Sequence, residues 1–203
     1  MVLTKDEENF WILCQIVLNI FPKNLRAYFK RQWNAKFLQN PWQDSGSCGQ
    51  FLISQIPQGN LSRCNYLRPT LKAGDSNKWD PTALFFVLTN AGMVNKTEKC
   101  EVERLRGIRN ECFHSKSASI TQPELSMKIN DIQIAFGVLN LQAGLTEITA
   151  ILNAPIATQL SLQLQMQLDQ ERQLNDYYNK YLADKLNALE ENVEGIFTYY
   201  SMF

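Results

Sequence analysis

Apolar residues return at three- and four-residue steps along most of this chain, and that period belongs to helices packed by one face rather than to pleated strands. The first stretch follows Thr4 and Glu7, a pair whose hydroxyl and carboxylate can each satisfy a free backbone N–H at a helix start. Phe10, Leu13, Cys14, Val17, Leu18 and Phe21 then line one face, until Pro22 is expected to stop or bend the chain. A second stretch runs through Leu25, Tyr28, Phe29, Trp33 and Phe37. Asp80-Pro81 reads as an N-cap with proline at the first helical position. The apolar run 83–88 behind it is continuous enough to be the buried central helix, ending at Asn90-Ala91-Gly92. After a turn over 94–97, Val102, Leu105, Ile108 and Cys112 mark one face of a fourth helix, which gives out at the polar string 114–119. Thr121 and Glu124 repeat the capping pair. The helix behind them buries Leu125, Ile129, Ile132, Ala135, Phe136 and Leu139 and loosens around Gly144.

Two regions break the pattern. Between residues 40 and 79, Pro41, Gly46, Gly49, Pro57, Gly59, Pro69 and Gly74 stand among polar residues, which predicts loops with at most short helices around 50–55 and nearby. So long an irregular stretch in a compact domain is either functional or specific to a family. Beyond Pro155 the chain turns rich in Gln, Asn and Leu, and residues 160–168 alternate apolar and polar as a strand does. Gln, Leu and Met nevertheless favour helix, and no hairpin signal flanks them, so helix is the expectation. Leu182, Leu186, Leu189, Val193 and Ile196 keep coiled-coil spacing over two heptads and could pack on the domain or on a second chain. The expected architecture is all-α: an up-and-down helical bundle of about five helices over residues 1–153, with an additional long C-terminal helix over 154–203.

At 203 residues the chain suits one domain with an appended helix. Its 20 basic and 20 acidic residues leave no net charge to draw nucleic acid from a distance, so any such contact must be local. No apolar run reaches the roughly 18 residues that span a bilayer, and the acidic start Thr4-Lys5-Asp6-Glu7-Glu8 is unlike a signal peptide. A cytoplasmic protein without membrane contact is expected. Five cysteines, an odd number without a Cys-x-x-Cys pair, read as reduced thiols, and the sequons at Asn60 and Asn95 are discounted. The chain carries no Gly-rich phosphate loop, no nucleophile elbow and no metal-spaced cluster, so neither metal nor cofactor is expected.

Chemistry concentrates at residues 105–114. On a helix, Arg106, Asn110 and His114 align above one another on a side distinct from the apolar face, and Arg109 lies between the two. Gly107 weakens the helix by roughly 1 kcal/mol relative to alanine, which suggests close approach of a partner helix or a phosphate. Cleaving RNA without a metal takes a base near neutral pH for the 2′-hydroxyl, an acid for the leaving oxygen and a cation for the phosphorane. His114, the only histidine, and Arg109 can supply two of these roles, and a twofold axis through this face would supply the second proton carrier. The residues alone equally allow a structural reading, with Arg109 paired to an acid and His114 capping the helix. Arg106 and Lys116 are the basic neighbours best placed to follow an RNA backbone, although acids interleave with the other basic residues of this helix as on a solvated, salt-bridged face. Trp33, Trp42 and Trp79 read as buried anchors for 40–79 rather than stacking platforms.

The string Arg109-Asn110-Glu111-Cys112-Phe113-His114 resembles the Arg-Asn-x-x-x-His signature of HEPN domains. The run Trp79-Asp80-Pro81 through Leu88, the approach Val102-x-x-Leu105-Arg106-x-Ile108, the exit from His114 to Ile120, and Trp33-Asn34 with Pro41-Trp42 are similar to one branch of that family. It is the branch found in the DAZ-interacting zinc-finger ubiquitin ligase and in many invertebrate immune-type proteins. The likeness covers residues 10–140, not the tail, and the RING finger of that ligase has no counterpart here. It implies a helical bundle that dimerises and often acts as a metal-independent endoribonuclease. Carried over, Arg109 would hold the phosphate, His114 would transfer the proton, and Asn110 would orient His114 or the scissile group. Some members use the fold only to hold RNA or to self-associate in immune or ubiquitin pathways, which is the alternative.

Overall fold

Residues 3–115, 117–154 and 158–200 are described by the structure, a computed structural model, with the side chains of the last helix described over 163–184. The order is α1 (Lys5–Gln15), α2 (Phe21–Lys36), α3 (Gly46–Gln55), α4 (Gln58–Arg63), α5 (Arg68–Ala73), α6 (Pro81–Asn90), α7 (Lys96–His114), α8 (Gln122–Val138), α9 (Gln142–Leu152) and α10 (Thr158–Tyr200). No strand occurs among the described residues, and the all-α bundle stands, though with more and shorter pieces than about five helices.

The start signals act as read. Thr4 with Glu7 and Thr121 with Glu124 form complete capping boxes, and Asp80 accepts the Ala83 N–H at 2.7 Å. A third box, Asn95 with Glu98, opens α7 at Lys96, where a turn over 94–97 was expected. Pro22 does not stop the chain. A π-helical turn over Ile16–Ile20 precedes it, closed by a bond from the Phe21 N–H to the Ile16 carbonyl five residues back. Widening by one residue lets the helix pass a residue that has no N–H to donate.

Residues 40–79 hold three short α-helices and two 3-10 turns, the first of the helices covering the expected 50–55. Their order comes from tertiary contacts that no local pattern displays. Trp33, Trp42 and Trp79 are all buried, and Phe29 lies with its ring centroid 4.7 Å from Trp42 and 4.9 Å from Trp79. Asp44 ties the span together. Its Oδ1 accepts from Trp42 Nε1 at 2.7 Å and from the Ser76 N–H at 2.9 Å, and its Oδ2 pairs with Lys30. Burial pushes the Asp44 carboxyl up, but Lys30, Ser76 and Trp42 outweigh it and hold the group well below the usual carboxylate range. Where α3 crosses α5, a Cβ on Gly49 would stand 2.4 Å from the Leu71 and Lys72 carbonyls, so only glycine allows the approach.

The segment after α8 breaks at Asn140, with φ of 52°, instead of loosening at Gly144. Gly144 sits inside α9, where an added Cβ would meet the Phe136 ring at 2.4 Å. The alternating run 160–168 lies in helix, as propensity indicated, and Leu164 and Leu168 are fully buried. Through them α10 packs in cis against α1, α7 and the π turn. Side chains of the 186–196 seam lie outside the described residues. Cys14 and Cys112 meet inside the bundle as free thiols with sulfurs 3.3 Å apart. No described helix is long and apolar enough to cross a membrane.

Candidate phosphodiester site at the end of helix α7

Helix α7 buries Val102, Leu105, Ile108 and Cys112 as its period requires, and it buries Arg109 and Phe113 as well. Arg109, which the helix period sets between the apolar and polar faces, is buried, at only 4% exposure. Its Nη1 donates to Asn110 Oδ1 at 2.9 Å and its Nη2 to Thr82 Oγ1 at 3.1 Å, while the guanidinium lies 4.2 Å from the Phe113 ring centroid. From α10, Glu171 brings Oε2 to 3.5 Å from Nη2. That spacing makes an ion pair without a hydrogen bond, for Arg109 Nε and Glu171 Oε2 are both buried without a hydrogen-bond partner. Desolvation lowers the Arg109 pKa against the pull of Glu171 and Asp80. It raises that of Glu171, with Asp80 pushing the same way and Arg109 opposing.

His114, on the last turn of α7, is exposed, and its Nε2 lies 3.5 Å from Asn175 Nδ2 of α10. Asn110, expected to orient His114 or the scissile group, accepts from Arg109 through its Oδ1. Arg109 and His114 do not share one groove. Arg109, Asn110, Arg106 and Thr82 line a half-open cavity of about 210 Å³ walled by Tyr66 and Phe86. His114, Phe113, Arg172 and Asp176 line a neighbouring one of about 230 Å³. Asn175 borders both, so the cavities meet at one side chain of α10. Arg106 is exposed at the first cavity, while Lys116 lies outside the described residues. Along the rest of α7, Arg104 pairs with Glu101 at 3.3 Å, and Glu111 pairs with Lys128 of α8, so this face is partly the salt-bridged surface anticipated.

Sequence reasoning missed the contribution of α10. Arg172 donates from Nε to the Phe113 carbonyl at 2.8 Å and from Nη2 to the Ser115 carbonyl at 3.0 Å, satisfying acceptors left open where α7 ends. Tyr178 donates to Asp80 Oδ2 at 2.9 Å and stacks on Tyr66 with centroids 4.3 Å apart. Burial and the Asp80 charge together raise the Tyr178 pKa. One signal was available: Leu164, Leu168, Glu171, Asn175, Tyr178 and Leu182 step by fours and threes, extending the 182–196 seam backwards through polar residues.

Among the described residues no cluster of three His, Cys, Asp or Glu could hold a metal ion. No family model, curated protein or solved structure matches the chain. The arrangement therefore has to be read from its own chemistry. It offers a buried guanidinium with an unused N–H for an anion, a second guanidinium at the cavity mouth, and an exposed imidazole one cavity away.

Proposed function

We propose that the chain is an RNA-directed protein of the HEPN type, cytoplasmic and homodimeric. In this reading the end of α7 binds a phosphodiester and works as a metal-independent endoribonuclease, without a cofactor. The observation that carries it is the arrangement of Arg109 with an unpartnered Nε beside a cavity that adjoins, through Asn175, the one containing an exposed His114. Arg109 grips a phosphate oxygen, Arg106 meets the backbone on entry, and the His114 imidazole takes the 2′-hydroxyl proton. The 2′-oxygen attacks phosphorus and the 5′-oxygen leaves, giving a 2′,3′-cyclic phosphate. Protonating that leaving oxygen needs a second acid, which His114 of a second copy provides across a twofold axis.

Cleavage of single-stranded RNA in chelator tests this directly. Wild-type protein is expected to cut and His114→Ala, an exposed substitution that leaves the core untouched, is expected not to. Equal rates for the two would remove the catalytic reading. One observation favours the non-catalytic alternative, an RNA-holding or self-associating module: Arg109 faces Glu171, so the phosphate position is filled by a carboxylate of the same chain. Binding of RNA without cleavage, lost in Arg106→Ala, would establish that alternative.

A further inference from the structure

Helix α10 is held over α7 by two unlike halves. Its first described turns are anchored by Leu164 and Leu168, both fully buried. Beyond Leu168 the attachments to the site change character to Arg172 on the α7 carbonyls, Asn175 beside His114 and Tyr178 on Asp80, with Tyr177 next to it 62% exposed. The polar bonds of this half can be exchanged for water, and its departure also gives up the stack of Tyr178 on Tyr66, whereas the two leucines lie wholly in the core. The second half is thus held less firmly than the first.

What this second half delivers is a carboxylate to the most buried cation of the site. Arg109 can offer a fork of N–H donors to an anion, yet Glu171 reaches only Nη2, at 3.5 Å, and Nε and Oε2 stay unsatisfied. A phosphate could accept from Nε and Nη2 together, the side-on geometry in which guanidinium binding is strongest. Burial without full pairing already disfavours the charged form of Glu171. Arg106, exposed at the same cavity and without a carboxylate partner among the described residues, stands where an arriving anion would first be met.

We propose that Glu171 is an internal stand-in for substrate: the chain's own α10 occupies the phosphate position on Arg109, and a single-stranded RNA phosphodiester binds by displacing the 171–178 segment. This rests on the RNA-directed reading above and adds to it a closed state and the element that closes it. Contacts to α7 at Phe113, His114 and Ser115 come from this same segment, so its departure uncovers the guanidinium and releases the already exposed imidazole from Asn175. The two cavities that Asn175 now separates become one groove. It also frees the α7 face through which a second copy would complete the site.

The test uses the full chain carrying His114→Ala, so that bound RNA is not consumed, and a short fluorescent single-stranded RNA in chelator. Adding Glu171→Gln, which keeps the size of the side chain and removes its charge, is expected to tighten binding about tenfold by raising the open fraction. Tyr178→Phe, which loses only the bond to Asp80, should shift affinity the same way by a smaller factor. Hydrogen exchange across 171–178 is expected to rise when RNA is added to the Glu171-containing protein. Equal affinities for all three proteins, with 171–178 still protected when RNA is bound, would overturn the displacement and leave the RNA site standing. Absence of RNA binding in all three would instead bring down the RNA-directed reading, and this inference with it.

Discussion

Replacing Arg109 with alanine is the obvious experiment on this site, and the structure states what it costs before any RNA is added. Removal of the guanidinium strands Glu171 in a region where desolvation already raises its pKa and Asp80 repels it. Stranding one partner of a fully buried pair costs about 3–5 kcal/mol. The Glu171 side chain keeps 21% exposure, so water screens part of this and about 2–3 kcal/mol is the better figure. The contact over Phe113 and the bonds to Asn110 and Thr82 are each worth about 1 kcal/mol, but all share one guanidinium and do not add fully. Arg109→Ala should therefore destabilise by about 4 kcal/mol, and Arg109→Ala/Glu171→Gln should recover about 2 kcal/mol of that loss. Urea unfolding followed by tryptophan fluorescence measures both. The pH dependence has a definite sign. Since the folded pKa of Glu171 lies above its ordinary value of 4.5, the penalty for its charge is absent below that value and grows as pH rises through it towards the folded pKa. The deficit of Arg109→Ala should accordingly shrink on acidification. A double variant no more stable than the single, or a deficit independent of pH, would refute the stranded-carboxylate account. The practical consequence is that lost activity in Arg109→Ala alone says little about chemistry, whereas exposed His114 is a clean probe.

Other outcomes follow from the same contacts. Gly107→Ala should raise stability by up to about 1 kcal/mol in thermal melting, because a Cβ there meets open space within a regular helix. Gly144→Ala should lower it by about 1–3 kcal/mol, since its Cβ would enter the Phe136 ring and crowd Asn24. Asp44→Ala should cost about 2–4 kcal/mol by unpairing Lys30, Ser76 and Trp42 together. Because the folded pKa of Asp44 lies below its ordinary value of 3.8, the Asp44 contribution is present above that value and fades as pH falls through the folded pKa, so wild-type and variant should converge in acid unfolding. In thiol labelling of the native protein, exposed Cys100 should react first and Cys14 last, as burial pushes the Cys14 thiol far up.

Helix class, the starts of α1, α6 and α8 and the buried faces of α6, α7 and α8 were legible in the chain. Each depends on residues within about one turn of one another, whether a capping pair such as Thr121 with Glu124 or an apolar stripe such as Val102, Leu105, Ile108 and Cys112. The motif helix and its end at His114 were legible for the same reason. Gly107 marks the limit of that method: its lack of a side chain suggested a close neighbour, and the structure leaves the space open.

What lay beyond local reading depends on residues distant in the chain. The span 40–79 showed only turn residues and room for short helices, because its order comes from Trp42, Trp79 and an aspartate bonded across 32 residues, and none of these produces a period. Arg109 had an undecided position, at the edge of an amphipathic helix, and its burial was decided by α10 arriving with Glu171. A helix's own sequence says which of its faces is apolar, because that depends on spacing alone. Which polar side chain ends up in the dark depends on what another helix lays over it, and that is settled only when the chain closes on itself.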